Sequence, residues 1–567
     1  MSSTPPSTAP PSPRSLSVRR LPLTGVLRPN KPVDIWFKPA TSVVVATAIP
    51  NLTLLALGRL DLVMYTMAGS LCALYGHNLP YAARARALAR VVLGMFASVA
   101  VALVSASLTS SAVILVAVGA VLAAAQKALC DATRIGPPGH LIFTFISSAS
   151  LFAPQTIGQV PGHLALMIGA GALAWLVGMA PVLVRPYGPE RRATARALNA
   201  AAAYAERPEH APARGAAAAA VHAAWQSLLA TGARTEARRA LERLVVRAEV
   251  AIAAPGDTDV AQLRGWATGL LGSGAVPRPA PIAGMDDELL GVEAELADGK
   301  PSLWRRIGPG SPLLPVALRT VVGCALAGYV SLALGIGKPY WALVTAASLY
   351  QANVTLTWSR GVQRVVGNLG GVLVFAAVAP VAHLSQAALV LFCLAFNFGA
   401  EALITRNYWL GSLCVTPMAL LVTEFARFQE PGELITDRVV DTLVGALVGV
   451  VAAVAVTNRR AGDQIERSLE RTTTARDAAE RTLALAAPGH AALETARRTL
   501  VGALVELRAA ADTAAGEWWQ RALPEERVLA AEQAGHRTLA ATVRRQAAGA
   551  VGDTGGRTAE EPSAAHG

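Results

Sequence analysis

Cysteine is scarce in this chain, and its placement argues against two classes of protein. The 567 residues include five cysteines, all in or beside apolar stretches: Cys72, Cys130, Cys324, Cys393 and Cys414. This distribution provides neither a disulfide framework nor the paired spacing of a zinc site. The nine histidines likewise form no metal-ligand pattern with cysteines or acidic clusters. We therefore expect no metal site and no disulfide-stapled fold.

Sequence motifs for nucleotide chemistry are also missing. No glycine-rich loop ends in the Lys and Ser or Thr that hold phosphates, so ATP is not expected to drive this protein directly. The net charge is +12, and only 5 of the 50 basic residues are lysines. Many arginines flank apolar segments, where anionic lipid headgroups explain them adequately. We therefore expect that the protein is not an enzyme, uses no cofactor and binds no nucleic acid. Its expected partner is a lipid bilayer.

Long apolar segments are what the chain has in abundance. Hydrophobic residues make up 53% of it, and its mean hydropathy is +0.42. A helix needs roughly 20 apolar residues to cross the hydrocarbon core of a membrane. Twelve segments approach that length: 40–58, 62–76, 91–108, 111–129, 141–157, 163–184, 314–336, 339–354, 363–382, 385–404, 407–425 and 438–457. The predicted fold class is all-α, a polytopic membrane protein of about 12 transmembrane helices. The second and fifth segments are short, so each is tilted, re-entrant or extended by its flanks.

Positive charges are distributed unevenly among the connections. Lys and Arg in short loops remain in the cytoplasm. With the N-terminal tail inside, the inner connections hold Arg84, Arg86, Arg90, Lys127, Arg134, Arg185, Arg191, Arg192, Arg360, Arg364, Arg406, Arg459 and Arg460. The outer connections hold only Arg59, Lys338 and Arg427, the last within an acidic loop. We expect both termini to be cytoplasmic, in the inner (plasma) membrane of a bacterium.

The two apolar blocks look like copies of each other. The run Ala68-Gly69-Ser70-Leu71 in the first block corresponds to Ala346-Ala347-Ser348-Leu349 in the second. In both blocks, arginines and then a glycine lead into the third span, with Gly94 matching Gly367. Six is an even number, so the copies share one orientation in the membrane. The sequence predicts two six-helix repeats.

Polar segments separate and follow the two blocks. The predicted domains are a disordered cytoplasmic tail (1–38), a first membrane block (39–186), a cytoplasmic helical region with a linker (187–311), a second membrane block (312–458), cytoplasmic C-terminal helices (459–550) and a disordered tail (551–567). Apolar residues such as Leu241, Leu244 and Val245 have helical spacing. We expect the soluble helices to pack on each other beneath the membrane. A regulatory role or a homodimer contact is the alternative.

Two arginines and a glycine cluster mark the third span of the second block. Ionisable groups inside or beside spans are costly and are therefore functional candidates. Arg360 and Arg364 share one helix face, and the following glycines, Gly367, Gly370 and Gly371, let helices approach closely. The planar guanidinium group can bond both oxygens of a carboxylate. We predict substrate contact by both arginines, with positive-inside anchoring as the alternative.

Two acidic residues are candidates for proton coupling. Asp441 lies four residues into the predicted last span and three after Arg438. It either forms a local i, i+3 pair with Arg438, a structural role, or carries a proton in exchange for substrate. Glu401 is the second candidate, and pairing with Arg406 is its structural alternative.

Aromatic and amide side chains complete the candidate site. Five aromatic residues lie at predicted span ends, where interfacial anchoring competes with stacking on an aromatic substrate. They are Tyr340, Trp341, Trp358, Tyr408 and Trp409. Gln351 and Thr416 add hydrogen-bonding capacity along the path. Bonding between helices explains them equally well.

The order of motifs in the second block resembles the fusaric acid resistance family of aromatic acid exporters. The motifs are Lys338-Pro339-Tyr340-Trp341-Ala342-Leu343-Val344-Thr345, Gln351, the run 360–371, Asn407-Tyr408-Trp409, Thr416-Pro417 and the run 438–445. The likeness covers about residues 320–455, with a weaker echo in the first block. The family commonly has Thr after the motif glycine, where this chain has Asn368. The resemblance implies export of aromatic carboxylic acids or related organic anions, and related plant proteins are anion channels.

The leading hypothesis is a secondary transporter that exports such anions, driven by the proton gradient. A passive anion channel is the first alternative, because an inside-negative potential already favours anion exit by about 2.3 kcal/mol per charge per 100 mV. A membrane scaffold with partner-binding cytoplasmic helices is the second.

Overall fold

The computed structural model describes most of the chain. The described residues are 17–18, 21, 23–30, 35–133, 135–209, 211–230, 235–253, 255–272, 274–278, 313–336, 338–351, 353–425, 429–456, 461–515, 519–520 and 525–556. Most of the predicted N-terminal tail, the second half of the linker and the last eleven residues lie outside them, as do Arg134, Arg427, Arg459 and Arg460. Within the described ranges the fold is helical, apart from a two-residue antiparallel strand pair, Ser17–Val18 with Trp519–Gln520.

The first membrane block contains six helices. They are α1 (Phe37–Ala56), α2 (Val63–Ser70), α3 (Tyr81–Leu108), α4 (Ala112–Thr133), α5 (Leu141–Leu151) and α6 (Val160–Met179). The next polar region forms α7 (Gly188–Glu206), α8 (Ala211–Ala230), α9 (Glu236–Ala253) and α10 (Val260–Leu271).

The second membrane block repeats the arrangement of the first. Its helices are α11 (Leu314–Ala333), α12 (Tyr340–Leu349), α13 (Val354–Ala382), α14 (Gln386–Ile404), α15 (Tyr408–Glu424) and α16 (Pro431–Ala455). The third helix is the longest in each block, with 28 residues in α3 and 29 in α13. The second is the shortest, with 8 residues in α2 and 10 in α12. The C-terminal region adds α17 (Ala461–Leu483), α18 (His490–Ala515) and α19 (Glu525–Gly556).

All twelve predicted apolar segments are helical, but they are not equivalent. Eight helices of the described chain are long and apolar enough to cross a membrane. The other four segments hold shorter helices: Leu60–Leu74, Leu141–Leu151, Tyr340–Leu349 and Tyr408–Glu424. Ten residues of α-helix rise only about 15 Å, half the hydrocarbon thickness. The count of twelve therefore becomes eight full-length helices and four short ones, the second and fifth of each block.

Several arginines predicted in inner loops, among them Arg84, Arg360 and Arg364, lie inside helices. Helix α3 begins ten residues before its predicted span and includes Arg84, and α13 begins nine residues before its span and includes Arg360 and Arg364. Hydropathy windows exclude such residues because each Arg lowers the average. The backbone nevertheless continues helically, since Asn353 caps α13 by accepting a hydrogen bond from the Leu356 amide at 2.9 Å.

Helix packing reveals the internal symmetry of the two blocks. In the first block α2 and α3 pack on α6, and α5 packs on α3 and α4; the corresponding helices of the second block pair in the same way. The first helix of each block also packs on the fourth helix of the other, α1 on α14 and α11 on α4. One hydrophobic core includes Met95 of the first block and Phe375 of the second. The predicted pair of six-helix repeats is confirmed, with the repeats interlocked.

The polar helices outside the two membrane blocks form two bundles that contact each other. Helices α7–α10 share one core and α17–α19 pack together, while α9 touches α19 and α8 touches α18. Arg497 lies between Glu249 of the first bundle and Glu494 of its own helix. Trp225 donates its indole N–H to Glu249 at 2.7 Å, and the Arg498 guanidinium lies 3.9 Å from the Trp225 ring centroid. The expected mutual packing of these helices is present in the structure.

Candidate functional site

Three glycines bring α13 against α15. A Cβ atom at Gly367 would lie 2.6 Å from Ser412 Cβ, and one at Gly371 would lie 2.6 Å from Thr416 Cβ. Gly370 faces Leu413 Cδ1, which a Cβ would approach to 2.7 Å. These distances are far below van der Waals contact, so the two helices approach as closely as the sequence predicts for this cluster.

The close approach places two arginines on one tyrosine. The Arg360 guanidinium carbon lies 3.8 Å from the ring centroid of Tyr408, and Arg364 Nη1 donates to the Tyr408 hydroxyl at 3.1 Å. Arg364 is only 6% exposed. Its Nε has no hydrogen-bond partner in the described part of the chain. The predicted arginine pair is thus assembled around Tyr408, one of the aromatic residues predicted at span ends.

A second cationic group surrounds Trp341. The Arg438 guanidinium carbon lies 4.7 Å from the Trp341 ring centroid, and Lys338 Nζ lies 5.2 Å from it. Tyr340 stacks on Phe152 of the first block, with ring centroids 5.7 Å apart. Arg438 is 1% exposed, and its Nε and Nη1 have no hydrogen-bond partner among the described residues. Arg438, which was predicted to have a structural role, is therefore like Arg364 a buried arginine with open hydrogen-bond donors.

Asp441 lies deeper in its helix than predicted, ten residues after Pro431, where α16 begins. The Ser331 hydroxyl of α11 donates to Asp441 Oδ1 at 2.5 Å, while Oδ2 has no partner among the described residues. Asp441 and Arg438 form no ion pair, because the arginine extends over the Trp341 ring. The local i, i+3 pair is thus not formed as an ion pair, although Arg438 still acts electrostatically on Asp441.

An uncharged hydrogen-bond ladder separates the two cationic groups. Asn368 Nδ2 donates to the Thr442 hydroxyl at 3.0 Å, and the Thr416 hydroxyl donates to Asn368 Oδ1. Thr442 in turn donates to the Arg438 carbonyl at 2.7 Å. Asn368 thereby connects α15 with α16, and Thr416 is fully committed to bonding between helices.

Two predicted site residues lie apart from the cluster. Gln351 Nε2 donates to the Tyr350 carbonyl at 3.2 Å, at the connection between α12 and α13. Glu401 is half-buried on α14 and makes no hydrogen bond or ion pair with a described residue, its predicted alternative partner Arg406 included. It lies within electrostatic range of Tyr75 in the first block.

One acidic residue of the second block was missed as a site candidate. Glu424, the last residue of α15, is 2% exposed, and both its oxygens lie 3.1 Å from His383 Nε2. From the sequence alone, Glu424 is counted only as one of the acidic residues of the loop that follows the fifth span. The available signal was a carboxylate at the end of an apolar run, since such a group is seldom buried without a partner.

No set of three or more His, Cys, Asp or Glu side chains in the described ranges is arranged to hold a metal ion. The arrangement instead offers buried cationic hydrogen-bond donors beside aromatic rings. Such donors suit anions, above all planar carboxylates.

Comparison with known proteins identifies this same region. Residues 325–452 match the family model described as fusaric acid resistance protein-like. No curated protein and no solved structure matches the chain. The match includes Trp341, Arg364, Tyr408, Arg438 and Asp441. The chain is a multi-pass membrane protein, and residues 325–452 of its second block are similar to the fusaric acid resistance protein-like family.

Proposed function

We propose that this protein exports organic anions, aromatic carboxylic acids in particular, through its second membrane block. The observation that carries the proposal is the pair of buried guanidinium groups at Arg364 and Arg438, each with N–H donors that no described residue accepts. Asp441 acts electrostatically on Arg438 but makes no ion pair with it, and a buried charge without an ion-pair partner is costly. A bound carboxylate would supply the missing charge and accept these hydrogen bonds.

The spacing of the two arginines favours a route rather than a single contact. Arg364 precedes Asn368 by one helical turn, and Arg438 precedes Thr442 by one turn, about 6 Å along each axis. With α13 and α16 antiparallel, as the proposed topology requires, the two guanidinium groups bracket the Asn368–Thr442 hydrogen bond. Arg364 also lies within electrostatic range of Arg438. An anion leaving one arginine therefore meets the next.

An aromatic ring lies beside each of the two arginines of this route. Tyr408 lies at the Arg364 end and Trp341 at the Arg438 end, so an aromatic acid would find a stacking surface beside each cation. Arg360 lies beside Arg364 and Tyr408, and Tyr340 lies beside Arg438 and Trp341. Gln351 and Thr416 support the helices in this proposal, because their polar groups already have partners.

Asp441 is the proposed site of proton coupling. Its Oδ2 has no partner in the described chain, and it lies one turn from the Arg438 backbone. Exchange of a proton at Asp441 for an outgoing anion would let the protein export against a gradient. In a passive channel the same residue would only shape the local field. We place the protein in the inner membrane, with both termini in the cytoplasm.

The test is efflux of a panel of labelled aromatic acids from cells that make the wild type, Arg364→Ala or Arg406→Ala at equal membrane abundance. Arg406 is an exposed arginine of the same block and serves as the matched control. We expect efflux to collapse in Arg364→Ala and to persist in Arg406→Ala. Equal efflux from all three would contradict the anion route and favour the scaffold alternative.

A further inference from the structure

Four basic side chains converge where the first membrane block meets α7. Lys38 is in the first turn of α1, Arg84 in the first turn of α3, Arg185 in the connection after α6 and Arg192 in the first turn and a half of α7. The charged groups that act on Lys38 are the other three. A Cβ atom at Gly188, the first residue of α7, would lie 3.5 Å from the Tyr81 hydroxyl oxygen and 3.6 Å from Arg185 Cβ. The charges of Arg84, Arg192 and Arg185 all act on Tyr81. These four side chains, here called the basic cluster, therefore surround one place.

The positive charge of the basic cluster is largely uncompensated. The side chains of Lys38, Arg185 and Arg192 make no hydrogen bond or ion pair with any described residue. Among the residues that the structure describes, Glu190 is the one carboxylate that acts on both Tyr81 and Arg192. One carboxylate facing four cations leaves an excess of three positive charges in a partly buried location.

Arg84 reinforces this excess instead of relieving it. It is 3% exposed, its Nη2 donates to His77 Nδ1 at 3.0 Å, and its Nε has no partner among the described residues. His77 donates its own Nε2–H to the Ala73 carbonyl at 2.8 Å, so its ring is neutral. Burial, together with Arg84, lowers the pKa of His77 to about 3. The histidine positions Arg84 without neutralising it.

Exposed apolar side chains adjoin the basic cluster. Leu183 and Val184, directly before Arg185, are 87% and 82% exposed. Phe37, directly before Lys38, is 45% exposed. Apolar side chains contribute nothing to the binding of a small soluble anion. A lipid has both a charged headgroup for the cations and acyl chains for the apolar side chains.

We propose that the basic cluster binds the phosphate headgroup of an anionic phospholipid whose acyl chains lie against Phe37, Leu183 and Val184. Guanidinium groups match the geometry of a phosphate, and juxtamembrane cations attract anionic headgroups. The site is in the first block, away from the proposed export route. It joins α1, α3 and α7, so a bound lipid ties the membrane block to the soluble helices.

The experiment uses the full chain, purified in detergent and titrated with dioleoyl phosphatidylglycerol, dioleoyl phosphatidylcholine or inorganic phosphate. Binding is read by native mass spectrometry and by the shift in thermal unfolding. We expect phosphatidylglycerol alone to stabilise the wild type, and the double variant Lys38→Gln/Arg192→Gln to bind it at least fivefold more weakly. Arg86→Gln is the matched control, because Arg86 is exposed on α3 and bonds the Ala82 carbonyl.

Two results would overturn the proposal. One is equal binding of phosphatidylglycerol by the wild type and the double variant. The other is equal stabilisation by inorganic phosphate, which would make this a site for soluble anions. If the double variant does not fold, Arg185→Gln replaces it, since Arg185 is exposed and its loss leaves the packing intact. That variant should weaken binding at least twofold, and unchanged binding would again contradict the lipid site.

Discussion

The two membrane blocks share a fold but treat their buried polar groups differently. In the first block Lys127 is paired with Asp131 at 2.8 Å, and Gln126 bonds both Thr144 and Ser147. In the second block Arg364 and Arg438 are equally buried, yet their nearest defined partners are aromatic rings and a tyrosine hydroxyl. Arg84 of the first block is also buried with an open Nε, but its Nη2 bonds the His77 ring, whereas Arg364 and Arg438 both lie against aromatic side chains. The difference between the blocks therefore lies in what surrounds the buried cations, and our proposed anion route uses the aromatic surroundings of the second block.

The third helix of each block shows where the difference arises. Arg84 and Arg90 on α3 correspond to Arg360 and Arg364 on α13. Arg84 is buried and bonds His77 while Arg90 is exposed, whereas Arg360 and Arg364 are both directed onto Tyr408. The glycine cluster of α13 brings α15 close enough for that contact. In α3 the matching Gly94 faces Phe143 instead, and a Cβ atom there would lie 3.2 Å from Phe143 Cε1. The close approach of α15 thus places Tyr408 against both arginines of the second block.

The largest expected effect separates the buried cations of the two blocks. Arg438→Gln removes a guanidinium with open donors, so we expect efflux of aromatic acids to fall by about tenfold or more, as loss of a buried charged contact to a ligand usually costs. Lys127→Gln removes a cation that only pairs with Asp131, so efflux should stay within about twofold. Labelled-acid efflux at matched abundance measures both. Equal losses in the two variants would show that the blocks do not divide their tasks in this way.

Coupling to protons gives the next comparison. Asp441→Asn keeps the shape and the bond from Ser331 but cannot release a proton. We expect uptake of substrate into inverted vesicles against its gradient to disappear, while flux down the gradient continues. Asp131→Asn in the first block is the control and should retain uphill transport. Uphill transport that survives in Asp441→Asn would move the coupling site elsewhere, with Glu401 and Glu424 as the next residues to replace.

Helix packing provides a third contrast, with a smaller effect. A methyl group at Gly371 would lie 2.6 Å from Thr416 Cβ and 3.1 Å from the Leu413 carbonyl, whereas one at Gly169 of α6 would meet no atom within 4 Å. We expect Gly371→Ala to destabilise the protein by about 1–3 kcal/mol. Gly169→Ala should change stability by less than about 0.5 kcal/mol. Thermal unfolding of the purified protein, followed by tryptophan fluorescence, measures the difference. A tolerant Gly371 would mean that α13 and α15 can separate.

The sequence predicts the architecture well because apolar length and glycine spacing are local properties. It places all twelve helical segments, the repeat and the arginine–glycine cluster of α13. The starts of α3 and α13 are missed because Arg84, Arg360 and Arg364 depress a hydropathy average without interrupting the helix. The Asn353 cap was the local signal for the true start of α13.

The spacing of charged residues in the sequence does not predict which side chains they contact in the fold. Asp441 and Arg438 are three residues apart and suggest a local pair, yet Asp441 bonds Ser331, 110 residues away, and Arg438 lies over Trp341. Glu424 and His383 meet across 41 residues in the same way. Such contacts depend on how α11, α12 and α16 pack, which a single sequence does not encode in any local pattern.

The smallest expected effect concerns pH and the first block. Burial and Arg84 hold the pKa of His77 at about 3, below the ordinary value near 6.5. The unfolded chain therefore binds a proton below pH 6.5 that the folded chain does not. The stability that neutral His77 contributes is complete above pH 6.5 and is lost as the pH falls toward 3. At pH 5.5 the loss is on the order of 1 kcal/mol. His77→Gln has no proton to bind, so its melting temperature should fall less than that of the wild type between pH 7 and pH 5.5. Parallel curves for the two proteins would mean that His77 is protonated in the folded state, and Arg84 would then need an anion beside it at low pH.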